Sequence, residues 1–203
     1  MKLVNSYCDQ SIDKKLTKKR LRQIKIIKLR YFLVCLFGLN KIKWLKKHKV
    51  FAELGENVIY QPNKLPNNPQ LIKIHDNVKI ASNVVFYEHD IINKVFQNMD
   101  KCNYITHQTA IEIFENTFIG GNSIIVGNVK IGPNAIIGAG SVVTKDVPSG
   151  SVVCGNPAKE ITKFENIHEK RKKNETNLGN LKLLDRYSQI WQKFYDERSE
   201  KNE

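Results

Sequence analysis

An isoleucine or valine recurs at every sixth residue through the middle of the chain, and this spacing constrains the fold more than any other feature. An earlier series begins at Ile74, Ile80 and Phe86. A period of six matches neither the 3.6-residue turn of an α-helix nor the alternation along a strand. It indicates a repeat protein in which three short strands complete one triangular coil of about eighteen residues. The main series consists of Ile113, Ile119, Ile125, Ile131, Ile137 and Val143.

The other positions of each six-residue block fit the same coil. Blocks such as IGGNSI and IGPNAI place Gly or Asn where the chain must turn a corner, and these residues tolerate positive φ. The leading apolar residue points to the axis and stacks on its equivalent in the next coil. Because each coil is buried only against its neighbours, the two ends need caps. The segments before and after the repeats are the natural caps.

The positive charge is concentrated at the N-terminus. Residues 1–50 hold fifteen Lys and Arg against two Asp, whereas the rest of the chain holds eighteen basic and eighteen acidic residues. A neutral body with a basic arm argues against nucleic acid as a partner. Two interpretations of the arm stay open, a helix that caps the coil and a helix that lies on an anionic membrane surface. Its apolar run from Tyr31 to Leu39 is too short to cross a membrane.

The six-residue rhythm breaks once inside the repeats. Phe86 and Ile113 are 27 residues apart, which is not a multiple of six. About twenty residues, from about 89 to 110, therefore leave the coil, and long excursions from a rigid scaffold are more often functional than structural. The excursion begins with His89 and Asp90.

The stretch IGGNSIIVGNVKIGPNAIIGAGSVVTKDVPSGSVVCGNPAKEI resembles the hexapeptide-repeat acyltransferases. It looks most like the maltose, galactoside and xenobiotic acetyltransferase branch, and within it the bacterial capsular or surface-polysaccharide O-acetyltransferases. GAGSVVTKDVP followed by GNPAK is the most specific part, and the resemblance covers about 54–173. It implies an all-β core, a left-handed parallel β-helix of hexapeptide repeats. We expect a basic helical arm over 1–50, the β-helix over 51–158 and a C-terminal helical segment over 159–203.

The resemblance also assigns the chemistry. His89 stands where the family carries its general base, which takes the proton of a sugar hydroxyl as that hydroxyl attacks a thioester. Asp90 or Glu88 could orient the imidazole, and the sequence does not choose between them. Asn83, Tyr87 and Glu88 could touch the sugar.

Acetyl-CoA is the implied co-substrate, and no metal is expected. In the family it lies in a groove between neighbouring subunits of a homotrimer. By motif match, Gly121 and Ala139 approach the pantetheine and Thr144 and Lys145 lie near the nucleotide end. Lys159 matches a basic position that meets a CoA phosphate.

The sequence therefore predicts an acetyl-CoA-dependent O-acetyltransferase that modifies a sugar hydroxyl of a surface or capsular polysaccharide precursor. The acceptor could be a small molecule or a lipid-linked glycan. We expect a cytoplasmic homotrimer, with a peripheral contact to the inner membrane face if the arm binds lipid. The alternatives are an N-acetyltransferase on an amino-sugar or xenobiotic, a non-catalytic β-helix scaffold, and a metal enzyme that uses His75, His89 and His107.

Overall fold

The computed structural model describes residues 14–175 and 183–199, and its centre is a parallel β-helix with three faces. Face A contains β1 (Glu53–Leu54), β3 (Ile72–Ile74), β6 (Ile111–Ile113) and β9 (Val129–Ile131). Face B contains β2 (Ile59–Tyr60), β4 (Lys79–Ile80), β7 (Phe118–Ile119), β10 (Ile136–Ile137), β12 (Ser151–Cys154) and β13 (Lys159–Lys163). Face C contains β5 (Val85–Tyr87), β8 (Ile124–Val126) and β11 (Val142–Val143). The chain visits the faces in the order A, B, C, as the successive coils of a three-sided β-helix require.

The residues of the six-residue series form the core, stacked in register from coil to coil. On face C, for example, Phe86 pairs with Ile125 and Ile125 with Val143. All members of the series from Ile74 to Val143 are buried. The six-residue period therefore corresponds to one side of the coil. After three sides each leading residue meets its equivalent about 4.8 Å away in the next coil.

Asparagines make the corners, as the block pattern predicts. Asn116, Asn122, Asn128 and Asn134 all have φ between 52° and 65°, and Gly140 continues the series with φ 71°. Asn accepts this left-handed conformation more readily than other residues with a side chain. At one corner the side chains also bond to each other, since Asn77 donates to Asn116 at 2.8 Å and Asn116 to Asn134 at 2.9 Å.

The excursion leaves face C after β5 and returns at β6, and it contains helix α3 (Asn93–Asp100). An antiparallel bridge between His89 and Gln108 closes its base. The Thr109 N–H donates to the Glu88 carbonyl at 2.9 Å, beside the coil at Gly127. A Cβ at position 127 would lie 1.8 Å from the Thr109 Oγ1, so only glycine lets the returning strand approach this closely.

The N-terminal arm covers the first coil. Helix α1 (Lys14–Leu36) is followed by α2 (Lys41–Lys47), and Leu45 of α2 is fully buried. The buried Tyr31 hydroxyl donates to the Pro62 carbonyl at 2.7 Å, and its ring lies 6.4 Å from that of Tyr60. These contacts support the capping interpretation of the arm. None of the described helices is long and apolar enough to span a membrane.

The structure differs from the sequence expectation at residues 159–163. These residues form β13, which pairs antiparallel with β12, so the helical segment begins later than 159. The chain reverses direction at Gly155, whose φ is 97°, and the returning strand covers the edge of β12. Helices α4 (Phe164–Glu175) and α5 (Leu183–Ser199) follow, and residues from Glu165 onward form a separate compact unit.

Replacing Tyr31 by Phe should reduce the sensitivity of the fold to alkaline pH. Burial, more than any other cause, raises the pKa of the Tyr31 and Tyr60 hydroxyls far above the ordinary value of 10.0. The unfolded chain ionises near pH 10 while the native chain keeps both protons, so stability is intact below pH 10 and falls above it. Tyr31→Phe should cost about 1 kcal/mol at pH 7, from the lost hydrogen bond, and lose less stability than the parent above pH 10.

Urea unfolding at pH 7 and above pH 10 measures this difference. The exposed Tyr187→Phe serves as the control and should match the parent at both pH values. Equal alkaline losses for Tyr31→Phe and the parent would contradict the role given to the buried hydroxyl.

Candidate active site

A buried carboxylate faces an imidazole where the excursion leaves the β-helix. Glu88 follows β5 directly and is fully buried. Its Oε1 accepts hydrogen bonds from the backbone N–H and from the side-chain amide of Asn68, and it lies 3.4 Å from the Nδ1 of His89. In this geometry the Nδ1 of His89 and the Oε2 of Glu88 are buried without a hydrogen-bond partner among the described residues. A carboxylate at Nδ1 favours the tautomer with its proton on Nδ1, which leaves Nε2 as a proton acceptor.

Sequence reasoning missed Asn68, which fixes the Glu88 carboxylate. It precedes the short 3-10 turn Pro69–Leu71, in a segment that runs where a third strand of the first coil would otherwise lie. The six-residue series begins only at Ile74, so no repeat position marks this segment. Nothing in the segment distinguishes Asn68 from its neighbours.

Asp90 takes a different position from Glu88. Its Oδ1 accepts a hydrogen bond from the Ile92 N–H at 2.9 Å, and its own N–H donates to the His107 carbonyl at 3.3 Å. These contacts lie in the turn that leads into α3. Of the two carboxylates that the sequence left open, Glu88 therefore lies against the imidazole of His89. Of the predicted sugar contacts, Tyr87 is 52% exposed and open to a ligand. Glu88 is fully buried, so its carboxylate is not open to a ligand.

The three histidines of the metal hypothesis are in different surroundings. His75 lies at face A, where its Nε2 is 3.1 Å from Glu112 and its ring stacks on Phe114. His107 is exposed and contributes its carbonyl to the base of the excursion. Within residues 14–175 and 183–199, the one group with metal-binding spacing is Glu165, His168 and Glu169, all exposed on α4.

A second set of predicted residues lines the turn between faces B and C, here called the B–C corner. Successive coils are joined there by hydrogen bonds, since Asn122 donates to the Ser82 carbonyl at 3.1 Å and Gly140 to the Gly121 carbonyl at 2.9 Å. Ser82, Gly121 and Ala139 thus follow one another along this corner, and Asn83 is the residue after Ser82. Lys159, paired with Cys154 at the end of β12, is exposed at the same edge.

The B–C corner suits an extended ligand with amide groups. Gly121 and Ala139 are partly or fully exposed, and neither backbone N–H has an acceptor within the described parts of the chain. A Cβ at Gly121 would lie 3.2 Å from the Ser82 carbonyl oxygen, so a side chain would narrow the corner. The pantetheine arm of acetyl-CoA carries two amides, whose oxygens match these free N–H groups. The exposed N–H groups of Gly121 and Ala139 are called the donor strip below, because acetyl-CoA is the acetyl donor.

The predicted residues therefore occupy two corners rather than one. Thr144 and Lys145 follow β11, so they lie at the corner that leaves face C, as His89 does, and both are exposed. Gly121 and Gly127 mark the two ends of one side of a coil, and six extended residues span about 20 Å. A single chain does not bring His89 to Gly121 and Ala139.

Comparison with known proteins identifies the repeats. The sequence model of the bacterial transferase hexapeptide family, with six repeats, matches residues 110–145. YJL218W of Saccharomyces cerevisiae is 36% identical over 114 residues, which are 55% of each protein. The chain thus spans about half the length of this curated relative.

Solved structures share most of the fold. A maltose O-acetyltransferase from Clostridium difficile 630 aligns over 74% of this chain and 89% of its own, with 26% identity and a TM-score of 0.57. A galactoside acetyltransferase in complex with coenzyme A aligns over 79% and 88%, with 23% identity and a TM-score of 0.55. Residues 110–145 thus carry the hexapeptide repeats of bacterial transferases, and the three-sided coil of the chain is similar to the folds of these two acetyltransferases.

Proposed function

We propose that this protein transfers the acetyl group of acetyl-CoA to a hydroxyl of a sugar in a surface or capsular polysaccharide precursor. The observation that carries the proposal is the buried carboxylate of Glu88 against the Nδ1 of His89, where the excursion meets the rigid coil. The similarity to a maltose O-acetyltransferase supports a sugar hydroxyl as the acceptor. A lipid-linked glycan at the inner membrane face is the acceptor we favour, because the basic arm suits such a surface.

His89 acts as the general base in this proposal. Its Nε2 takes the proton of the acceptor hydroxyl while the hydroxyl oxygen forms a bond to the thioester carbonyl carbon. The carbon–sulfur bond then breaks, and His89 returns the proton to the leaving thiolate. Glu88 is a positioning residue that holds the proton-bearing Nδ1 side of the ring, and Asn68 holds Glu88. Asp90 supports the turn into α3, and Tyr87 is available to the sugar.

The residues of the B–C corner would bind the donor. The free N–H groups of Gly121 and Ala139 suit the amide oxygens of pantetheine, and the Gly121 N–H is available to stabilise the oxyanion. The exposed Lys159 at this corner suits a CoA phosphate, whereas Thr144 and Lys145 lie at the corner of His89 and would meet a donor bound to the neighbouring subunit. Asn83 lies next to Gly121 along this corner, so it is closer to the donor strip than to His89 of the same chain.

The active site is shared between subunits of a homotrimer. The separation of about 20 Å between the two corners means that the imidazole of one chain must meet the donor strip of another. Val85, Tyr87 and Val126 on face C are apolar and exposed in the isolated chain, as an interface between subunits requires.

Replacing His89 by Ala should lower kcat by about a hundredfold to ten-thousandfold, because the hydroxyl loses its proton acceptor. The assay measures the CoA thiol released from acetyl-CoA with a panel of mono- and disaccharides, nucleotide sugars and lipid-linked sugars. His168→Ala, an exposed histidine outside the β-helix, is the control and should keep full activity.

Three results would contradict parts of the proposal. Acetyl transfer that persists unchanged in His89→Ala would exclude it as the base. A panel in which only amino-sugars or aromatic amines react would replace the sugar hydroxyl with the amine alternative, and no transfer together with no acetyl-CoA binding would favour the scaffold.

Glu88→Gln should lower kcat by about tenfold to a hundredfold and leave the KM for acetyl-CoA unchanged, because a misplaced base slows the chemical step alone. Gln keeps the oxygen that accepts from Asn68, so the thermal midpoint should stay close to that of the parent. Glu112→Gln is the matched control, since Glu112 faces His75 at 3.1 Å on another face of the coil. A fall in kcat of equal size in both variants would remove the specific role of Glu88.

Mixing two inactive variants should restore activity if the site is shared. His89→Ala lacks the base, and Ala139→Trp blocks the donor strip with an exposed side chain. When equal amounts are co-expressed and trimers form at random, about a quarter of the sites combine an intact His89 from one subunit with an unblocked Ala139 from its neighbour. Recovery of about a quarter of the parent activity is therefore expected, and no recovery in trimers shown by mass spectrometry to be mixed would place the site within one chain.

A further inference from the structure

Helix α1 carries apolar residues on two opposite faces, and capping explains only one of them. The inner face contains Tyr31 and Val34, both buried against the first coil, with Ile27 packed beside them. At 100° per residue, Leu29 and Leu33 lie nearly opposite Tyr31. They belong to a surface that continues through the turn after α1. This outer apolar face consists of Ile26, Leu29, Phe32, Leu33, Leu36, Phe37 and Leu39, which are between 41% and 69% exposed.

The outer apolar face is larger than the scattered apolar residues of an ordinary protein surface. Single exposed leucines need no explanation, but a contiguous group of large apolar side chains marks a contact with another body. A helix that is apolar around most of its circumference is stable when both of its sides are covered. The first coil covers the inner side of α1, so the outer side requires a different partner.

The charge of the arm indicates the class of that partner. Neither α1 nor α2 contains an acidic residue. At 100° per residue, the exposed Arg22 and Lys25 lie on the same side of α1 as the outer apolar face, within the two turns before Leu29, and the exposed Arg30 lies at its edge. Contact between two copies of the arm would bring these cations together, and their repulsion would oppose it. An anionic lipid surface would accept the apolar side chains and neutralise the cations at the same time.

We infer that the outer apolar face of α1 binds an anionic membrane surface, with the helix lying in the plane of the interface. The apolar side chains enter the boundary between headgroups and acyl chains, and Arg22, Lys25 and Arg30 meet the phosphates. This inference names the surface that makes the membrane contact in the proposed function. It stands without the acetyl transfer, because it rests only on the exposure and charge of the arm.

Sedimentation of the full-length protein with lipid vesicles tests the inference. The vesicles contain either phosphatidylcholine alone or phosphatidylcholine with three-tenths phosphatidylglycerol. We expect binding to the anionic vesicles that weakens as NaCl is raised from 0.1 to 0.5 M. The triple variant Leu29→Ser, Leu33→Ser, Leu36→Ser should bind at least about tenfold more weakly, and its thermal midpoint should be unchanged because all three side chains are exposed.

Two charge-reversal variants of equal net charge distinguish binding through the outer face of α1 from a general attraction of the basic protein to anionic vesicles. Arg22→Glu with Lys25→Glu should weaken binding at least about tenfold. Lys73→Glu with Lys130→Glu removes two exposed cations from face A and should leave binding unchanged. Equal losses of vesicle binding in both charge-reversal variants would overturn the inference. Binding of the triple serine variant at the level of the parent would also overturn it, and so would equal binding of the parent to both kinds of vesicle.

Light scattering and the solution assay distinguish the remaining outcomes. If the triple serine variant dissociates a parent oligomer and the parent binds no vesicles, a second copy covers the outer face and the membrane inference is wrong. Release of the CoA thiol with a water-soluble sugar should be the same in the parent and in the triple variant. Failure of the acetyl transfer with intact vesicle binding would refute the proposed function alone.

Discussion

The stacking of identical positions from one coil to the next is the interaction on which the rest of the molecule depends. Ile80, Ile119 and Ile137 lie in register on face B, and each is buried only because its neighbours in the stack are present. Such a structure has no closed core of its own and ends in two exposed coils. In this chain, helix α1 covers the first coil through Tyr31 and Tyr60, and the returning strand β13 covers the edge of β12 at the other end.

A rigid coil also sets where chemistry can occur. Its faces are built from short strands with fixed register, so a side chain gains freedom to meet a ligand only at a corner or where the chain leaves the coil. Glu88 and His89 stand where both conditions are met. The glycine at position 127 lets the excursion close tightly against the coil, and the bridge between His89 and Gln108 ties His89 to the returning strand. Gly121 and Ala139 lie at another corner about 20 Å away, so the proposed mechanism requires a second subunit.

The sequence predicts what is periodic in this protein and misses what is not. The six-residue spacing specifies the core, the Asn corners and the residues that leave the coil, since each follows from a position within the block. The contact of Asn68 with Glu88 joins residues 20 apart through a segment without pattern. The choice between Glu88 and Asp90 depends on which side of a turn each carboxylate faces, and adjacent residues in sequence carry no signal for that. Strand β13 was missed because it pairs antiparallel and lies outside the repeat.

The two interpretations of the N-terminal arm, a cap and a membrane contact, require different sides of helix α1. Covering the first coil uses one side of α1, where Tyr31 and Val34 are buried, and a soluble cap would be polar on the other side. The outer side is apolar from Ile26 onward instead, and the cations Arg22 and Lys25 precede this apolar stretch on the same side of the helix. With the inferred lipid contact, this arrangement would bring the capped end of the β-helix to a membrane surface without inserting the chain. In a trimer three arms would act together, so even weak attraction of each arm would hold the assembly where lipid-linked acceptors lie.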